Sequence, residues 1–167
     1  MVGAKGQVVA LDMNPAMLAV ARALPAPSGA TVSWQEGNAL ALPFPDGIFD
    51  AIVSGFLLRN VADLGRALAE MLRVLKPGGR MVALDTTRPV RSALTPLIWI
   101  HMHAIIPTLG WLLTGQRDAY RYLPNSSEGF LRAEDLAGRL AAAGFRKVGF
   151  RRLNFGTIAI HWGEKAA

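Results

Sequence analysis

The chain has no cysteine among its 167 residues, which excludes disulfides, thiolate metal sites and a cysteine nucleophile. Lysine is scarce as well: 4 Lys stand beside 14 Arg, and together they outnumber the 12 acids for a formal charge of +6. Clustering is sparse too, since the adjacent basic residues are two pairs, Arg146–Lys147 and Arg151–Arg152. A nucleic-acid groove needs a basic stripe interleaved with aromatics, so no nucleic-acid partner is expected, and the excess charge reads as a solvated or membrane-facing surface. No internal repeat, low-complexity tract or linker divides the sequence, and one domain over residues 1–167 is expected. The N-terminus shows no charged-then-apolar signal pattern, which makes a cytoplasmic location the default.

What is present alternates in type. Gln7–Asp12 (QVVALD) is a Val-rich apolar run that suits a buried parallel strand. Asn14 then offers an N-cap and Pro15 a first helical residue, with Met17, Leu18, Ala21 and Leu24 at helical spacing. TVSWQE and FDAIVSGF read as a second and a third strand. The clearest helix spans 62–75, with Leu64, Leu68, Met71, Leu72 and Leu75 on one face, Asp63 and Glu70 on the other, and KPGG as its stop. RMVALDT gives a fourth strand, AEDLAGRLAAAGF a helix closed by Gly144, and KVGFRRLNFGTIAIHWG two strands joined by a glycine-containing turn. This rhythm predicts an α/β fold, an open sheet with a parallel core and an antiparallel hairpin at its C-terminal end.

Chemistry gathers at strand ends. Asp12 closes a strand, where a carboxylate can accept both hydroxyls of a ribose or merely favour the helix start that follows. One strand later, Asn38 and Ala39 place an amide side chain and a backbone N–H at the same sheet edge. Those groups suit the Watson–Crick edge of adenine, with Asn38 accepting from the exocyclic amine. His101 and His103 (HMH) point to different faces of a helix and have no carboxylate close in sequence, so they read as pocket or core residues rather than as metal ligands. Ala93–Leu113 runs 21 residues without an acid, Lys or Arg, interrupted by Pro96, Pro107 and Gly110. It can be a lid over an apolar substrate, an interfacial segment or a membrane span.

VVALDMNPAML, GNALALPFPDGIFDAIVSGFLLRNV, LRVLKPGGRMVALDTTRP and DAYRYLPNS follow one another in the order seen in class I S-adenosylmethionine-dependent methyltransferases. LLRNV, YRYL and the TIAIHWG end make the chain resemble, more closely, the quinone C-methyltransferases of menaquinone and ubiquinone biosynthesis. The resemblance runs from Gly6 to Gly163 and implies a Rossmann-like fold and S-adenosylmethionine as cofactor. It implies a lipophilic quinol such as demethylmenaquinol as substrate. By the same resemblance Asp12 binds ribose and Asn38 and Ala39 contact adenine. The family often has serine where this chain has Gly55, and Ser54 stands one position earlier; both belong to the expected cofactor set. Arg59 and Asn60 match an Arg-Asn pair that faces the substrate, and Tyr120, Arg121 and Tyr122 match a stretch beside the quinone pocket, with His101 as a further pocket residue. A guanidinium at Arg59 would hold a ring phenolate, whose electrons make the neighbouring carbon nucleophilic. No metal is required.

The family's D-x-G-x-G-x-G turn is missing. GAKG stands too near the start to follow a strand and looks like the turn before the second strand of that fold. The first strand, its helix and the glycine loop are therefore expected to be absent, which leaves a central strand position unpaired and cofactor binding weak at best. A truncated form of a normal enzyme and a non-catalytic or partner-dependent remnant both fit, as does a methyltransferase for another lipophilic small molecule. A hydrophobic insert over residues 88–125, with Arg88, Arg91 and Arg117 at its ends, would allow peripheral contact with the inner face of a membrane. An exposed sheet edge would allow self-association.

Overall fold

The protein is described by a computed structural model over residues 2–3, 5–25, 30–88, 100, 105 and 130–167. β1 (Gln7–Asp12) and β2 (Thr31–Glu36) form a parallel pair, with Gln7 opposite Thr31 and Asp12 opposite Glu36. Between them α1 (Pro15–Ala23) begins as its sequence dictates. The Asn14 side chain accepts from Ala16 N–H at 2.9 Å, and Pro15 fills the first turn, where a missing N–H costs nothing.

A second sheet takes the order β3-β4-β6-β5, from β3 (Phe49–Gly55), β4 (Leu75–Thr86), β5 (Arg146–Leu153) and β6 (Ile158–Glu164). β3 and β4 are parallel, and β6 runs antiparallel to both its neighbours. The expected C-terminal hairpin is present, turned by Asn154–Gly156 with Asn154 and Phe155 in the left-handed region. β1 and β3 share no ladder, so the six described strands form two sheets rather than one.

The segment joining the sheets fixes their sense. From β2 it passes Leu40, which accepts from Arg66 of α2 (Leu64–Val74), then Leu42, bonded to Glu70 and Arg73, and reaches Ile48, bonded to Val74 O. It thus travels along α2 in the helix's own direction. Since α2 is the return crossover between two parallel strands, the segment descends beside β3 before β3 rises. The carboxyl ends of β1, β2, β3 and β4 therefore lie at one level.

α2 is shorter than its periodicity predicts. Asp63 caps it, accepting from Arg66 N–H at 3.0 Å, and so does not lie on its outer face. At the other end Leu75 turns extended and begins β4, with the KPGG stretch inside that strand. The apolar face behaves as expected. Leu68, Met71 and Leu75 are buried against Met81 and Ala83 of β4, and Leu136 and Leu140 of α3 (Ala133–Ala142) with Phe145 close the same core. Each such side chain contributes roughly 1.5–3 kcal/mol on removal from water. His161 of β6 lies in this layer at 1% exposure, with Nε2 2.9 Å from Ala133 O, and burial pushes its pKa down so that the ring is neutral. On the opposite face Val53, Val82 and Trp162 are in register across β3, β4 and β6, and Val53 and Trp162 stay exposed at 79% and 41%.

Candidate functional site

The first half of the site is built where β1 and β2 end side by side. Gly37 N–H donates to Asp12 O at 3.1 Å, so the chain leaving β2 crosses directly over the end of β1. Gly37 suits this close approach, since a Cβ there would lie 2.6 Å from Leu11 Cδ1 and 3.2 Å from Pro43 Cδ, so that the leucine side chain would have to move. Asn38 follows at the level of Asp12. Its Oδ1 accepts from Leu40 N–H at 2.9 Å and its carbonyl from Ala41 N–H at 3.0 Å, a turn that uses neither Asn38 Nδ2 nor the Ala39 N–H. Asp12 is half-buried, and its Oδ1 accepts from Asn14 N–H at 2.8 Å; among the described residues Oδ2 has no donor.

Asp12 and Asn38 are thus brought together, and neither is sealed in apolar packing. One detail differs from expectation. With Oδ1 committed to its own turn, Asn38 presents its –NH₂ outward, a donor for a ring nitrogen rather than an acceptor for an exocyclic amine.

A guanidinium holds this loop in place. Arg73 donates from Nε to Glu70 Oε1, from Nη1 to Phe44 O and Asp46 Oδ1, and from Nη2 to Leu42 O and Glu70 Oε2, at 2.7–3.0 Å. These five bonds match the five N–H donors of arginine. Glu70 also accepts from Leu42 N–H at 2.8 Å, and its hydrogen bond with Arg73 holds its carboxyl below the usual range.

The second half lies at the ends of β3 and β4. Ser54 is buried and its Oγ has no partner, whereas Gly55 is exposed with open space where a Cβ would be. Phe56 bonds to Leu84 O from a left-handed conformation (φ 56°), which turns the chain sharply off the strand. Asn60 Nδ2 donates to Phe56 O at 2.9 Å and closes the turn. Arg59 does not present a bare charge here. Its Nη1 lies 3.0 Å from Asp85 Oδ1, with the two side chains 8% and 1% exposed, and its Cζ lies 4.8 Å from the centre of the Phe56 ring.

Asp85 was not singled out by the sequence reasoning. A signal was available, because Val82–Asp85 repeats the VALD of Val9–Asp12 at the end of another strand. His101, Tyr120 and Tyr122 lie outside the described residues, as does most of the insert. Among the described residues no group of His, Asp and Glu is placed to hold a metal ion, and no helix is long and apolar enough to cross a membrane.

The donor set fits one end of the expected cofactor. Asp12 Oδ2 is an open acceptor for sugar hydroxyls, and Asn38 Nδ2 with the Ala39 N–H are donors for the nitrogens of a purine.

The model of the ubiE/COQ5 methyltransferase family matches residues 1–165. A demethylmenaquinone methyltransferase of Thermus thermophilus is 45% identical over 95% of this chain and 72% of its own length. A ubiquinone/menaquinone biosynthesis C-methyltransferase of Desulfotalea psychrophila is 42% identical over 96% of this chain and 65% of its own. The chain therefore spans only about two thirds to three quarters of the length of these relatives. Among solved structures, a SAM-dependent methyltransferase of Thermotoga maritima aligns with TM-score 0.62 and 18% identity, covering 95% of this chain and 72% of that one. An arsenic(III) S-adenosylmethionine methyltransferase of Chlamydomonas reinhardtii aligns with TM-score 0.65 and 21% identity, covering 99% and 57%. These likenesses show the Rossmann-like fold of class I methyltransferases. By the match of its sequence from residue 1 to residue 165, the chain belongs to the ubiE/COQ5 methyltransferase family.

Proposed function

We propose that this chain is the adenosine- and acceptor-binding part of an S-adenosylmethionine-dependent C-methyltransferase that acts on a lipophilic quinol such as demethylmenaquinol. The juxtaposition of Asp12 and Asn38 at one sheet edge carries the reading, and the names of the Thermus and Desulfotalea relatives support the choice of acceptor. S-adenosylmethionine, when bound, supplies an electrophilic methyl group on a sulfonium.

The roles follow from the chemistry of each group. Asp12 accepts from the ribose hydroxyls, while Asn38 and Ala39 donate to the base. Ser54 and Gly55 line the cofactor side at the end of β3, where Gly55 leaves the backbone open to close approach. Arg59 and Asn60 face the acceptor, and the guanidinium favours the ionised form of a ring hydroxyl. With the hydroxyl ionised, the adjacent ring carbon would be the nucleophile for the methyl group that S-adenosylmethionine supplies, and it would then lose its proton to solvent as the aromatic ring is restored. Alignment of the two reactants supplies most of the acceleration. His101, Tyr120 and Tyr122 belong to the acceptor pocket on this reading. The 88–125 insert takes the quinol from the membrane surface. Co-sedimentation with anionic vesicles at low salt tests that last point, and protein left in the supernatant counts against it.

The split sheet favours a second reading, in which the chain acts only with a partner segment. Among the described residues β1 and β3 each have an edge without a strand partner, with carboxyl ends at one level, and Val53 lies exposed beside the break. An added strand would pair with both edges and bury that face. Labelled S-adenosylmethionine and a demethylmenaquinol analogue in detergent separate the two. Methyl transfer by the chain alone supports the first, and transfer that appears only when a complementing segment is added supports the second. Absence of transfer under both conditions refutes quinol methylation.

A further inference from the structure

We propose that Asp85 is the positioning residue for Arg59, a carboxylate that fixes the guanidinium at the carboxyl end of β3 through main chain and side chain together. The inference rests on the quinol reading for its chemistry and on the geometry of one loop for its argument.

Asp85 sits on β4 at 1% exposure, and all three of its hydrogen bonds serve this loop and its own strand end. Oδ2 accepts from the backbone N–H of Arg59 at 3.2 Å. Oδ1 accepts from Arg59 Nη1 at 3.0 Å and from Thr86 N–H at 2.8 Å. One carboxylate therefore grips the same residue at both ends of its side chain. The Phe56 ring, 4.8 Å from Cζ, restrains the guanidinium from its face. Phe56 itself is held by Leu84 O, one residue before Asp85 on the same strand. Backbone, edge and face of the guanidinium are all tied to the end of β4.

Against this restraint one group stands out. Arg59 Nε is buried and, among the described residues, has no partner, in a side chain 8% exposed. A buried donor without an acceptor is costly, and an arrangement that holds the residue by one bond at its backbone and one at its guanidinium while leaving the Nε–H open fits a donor kept for a ligand. The acceptor on the quinol reading is the ring oxygen beside the carbon that receives the methyl group. Held between Asp85 and that oxygen, the guanidinium keeps its position without reorganising while the hydroxyl ionises, before its electrons pass to the ring carbon.

The test compares methyl transfer by the wild-type chain with that of Asp85→Asn, Asp85→Glu, Arg59→Lys and the Asp85→Asn/Arg59→Lys double variant. The substrates are S-adenosylmethionine and a demethylmenaquinol analogue. A misplaced guanidinium is expected to lower kcat by about 100-fold in Asp85→Asn, with KM for S-adenosylmethionine unchanged. Asp85→Glu restores part of the loss, and the double variant is no worse than Arg59→Lys, since both changes remove one device. The Arg59 Nε–H resonance is followed in parallel. It is expected to be slow to exchange in wild type and fast in Asp85→Asn, while the amides of Met81 and Ala83 keep their protection. Wild-type kcat in Asp85→Asn, or an unchanged Nε–H signal, overturns the proposal. If the wild-type chain shows no turnover, quinol methylation by the chain alone fails separately, and the Nε–H exchange still decides whether Asp85 holds Arg59.

Discussion

Replacing Asp12 by asparagine isolates the contribution of its charge to nucleoside binding, because the local fold gives the amide only one way to sit. Oδ1 accepts from Asn14 N–H at 2.8 Å, and that N–H requires an oxygen, so the new –NH₂ takes the place of Oδ2. The turn into α1 is kept, and the Asn14 cap on Ala16 N–H is untouched. What disappears is the charged acceptor that the proposed function assigns to the two ribose hydroxyls. Hydrogen bonds to a charged group contribute about 1.5–3 kcal/mol, and an amide recovers part of this by donating to a hydroxyl oxygen. A net loss of about 2 kcal/mol, or roughly 30-fold in affinity, is expected. S-adenosylhomocysteine titrated into isotope-labelled protein reads both the ratio of affinities and the location, through the amides of Asp12 to Asn14 and Asn38 to Leu40. Asp12→Ala should lose at least as much affinity and destabilise the start of α1 as well. Equal affinity of wild type and Asp12→Asn, or shifts confined to other parts of the molecule, would refute the assignment of this edge to the nucleoside.

Two further predictions concern the scaffold. Leu68→Ala empties a fully buried position of α2 and should cost about 2–5 kcal/mol in chemical denaturation without moving the denaturant slope; a loss below 1 kcal/mol would mean the core collapses around the gap. The Arg152 guanidinium hydrogen-bonds Glu134 at both oxygens, 2.8 and 2.6 Å, and holds its carboxyl down at about 2 against an ordinary value of 4.5. A depressed carboxyl stabilises the fold above its unfolded value and loses that contribution as pH falls from about 4.5 through about 2. Because Glu134 is 55% exposed, solvent screening limits the contribution to about 1 kcal/mol, and Glu134→Gln should flatten the acid limb of a stability–pH profile by that amount. An unchanged limb would show that the pair contributes nothing measurable.

Much of the scaffold was legible in the sequence. β1 and β2 occupy the residues that their apolar runs mark, α1 starts at its Asn-Pro signal, and the C-terminal hairpin forms antiparallel. These are local properties, set by side-chain period, a cap and a turn, and they need no knowledge of what packs against them. An unpaired strand position was likewise expected, and among the described residues the strands divide into two sheets between β1 and β3. Less legible were the start of α2, where Asp63 is a cap, and the loop after β2. Its anchoring depends on Arg73 meeting carbonyls some thirty positions away in the chain.

The two VALD tetrapeptides divide what the sequence determined from what only the tertiary structure decided. Sequence alone made both Asp12 and Asp85 the last acids of apolar strands. Asp12 ends a strand of the small β1–β2 pair, where among the described residues no cation reaches it, and so it keeps an open oxygen there. Asp85 ends an inner strand between β3 and β6, where the turn after β3 folds Arg59 back over it and burial forces its charge to be paired. Which neighbour arrives across a sheet depends on strand order, a long-range property that four identical residues do not encode.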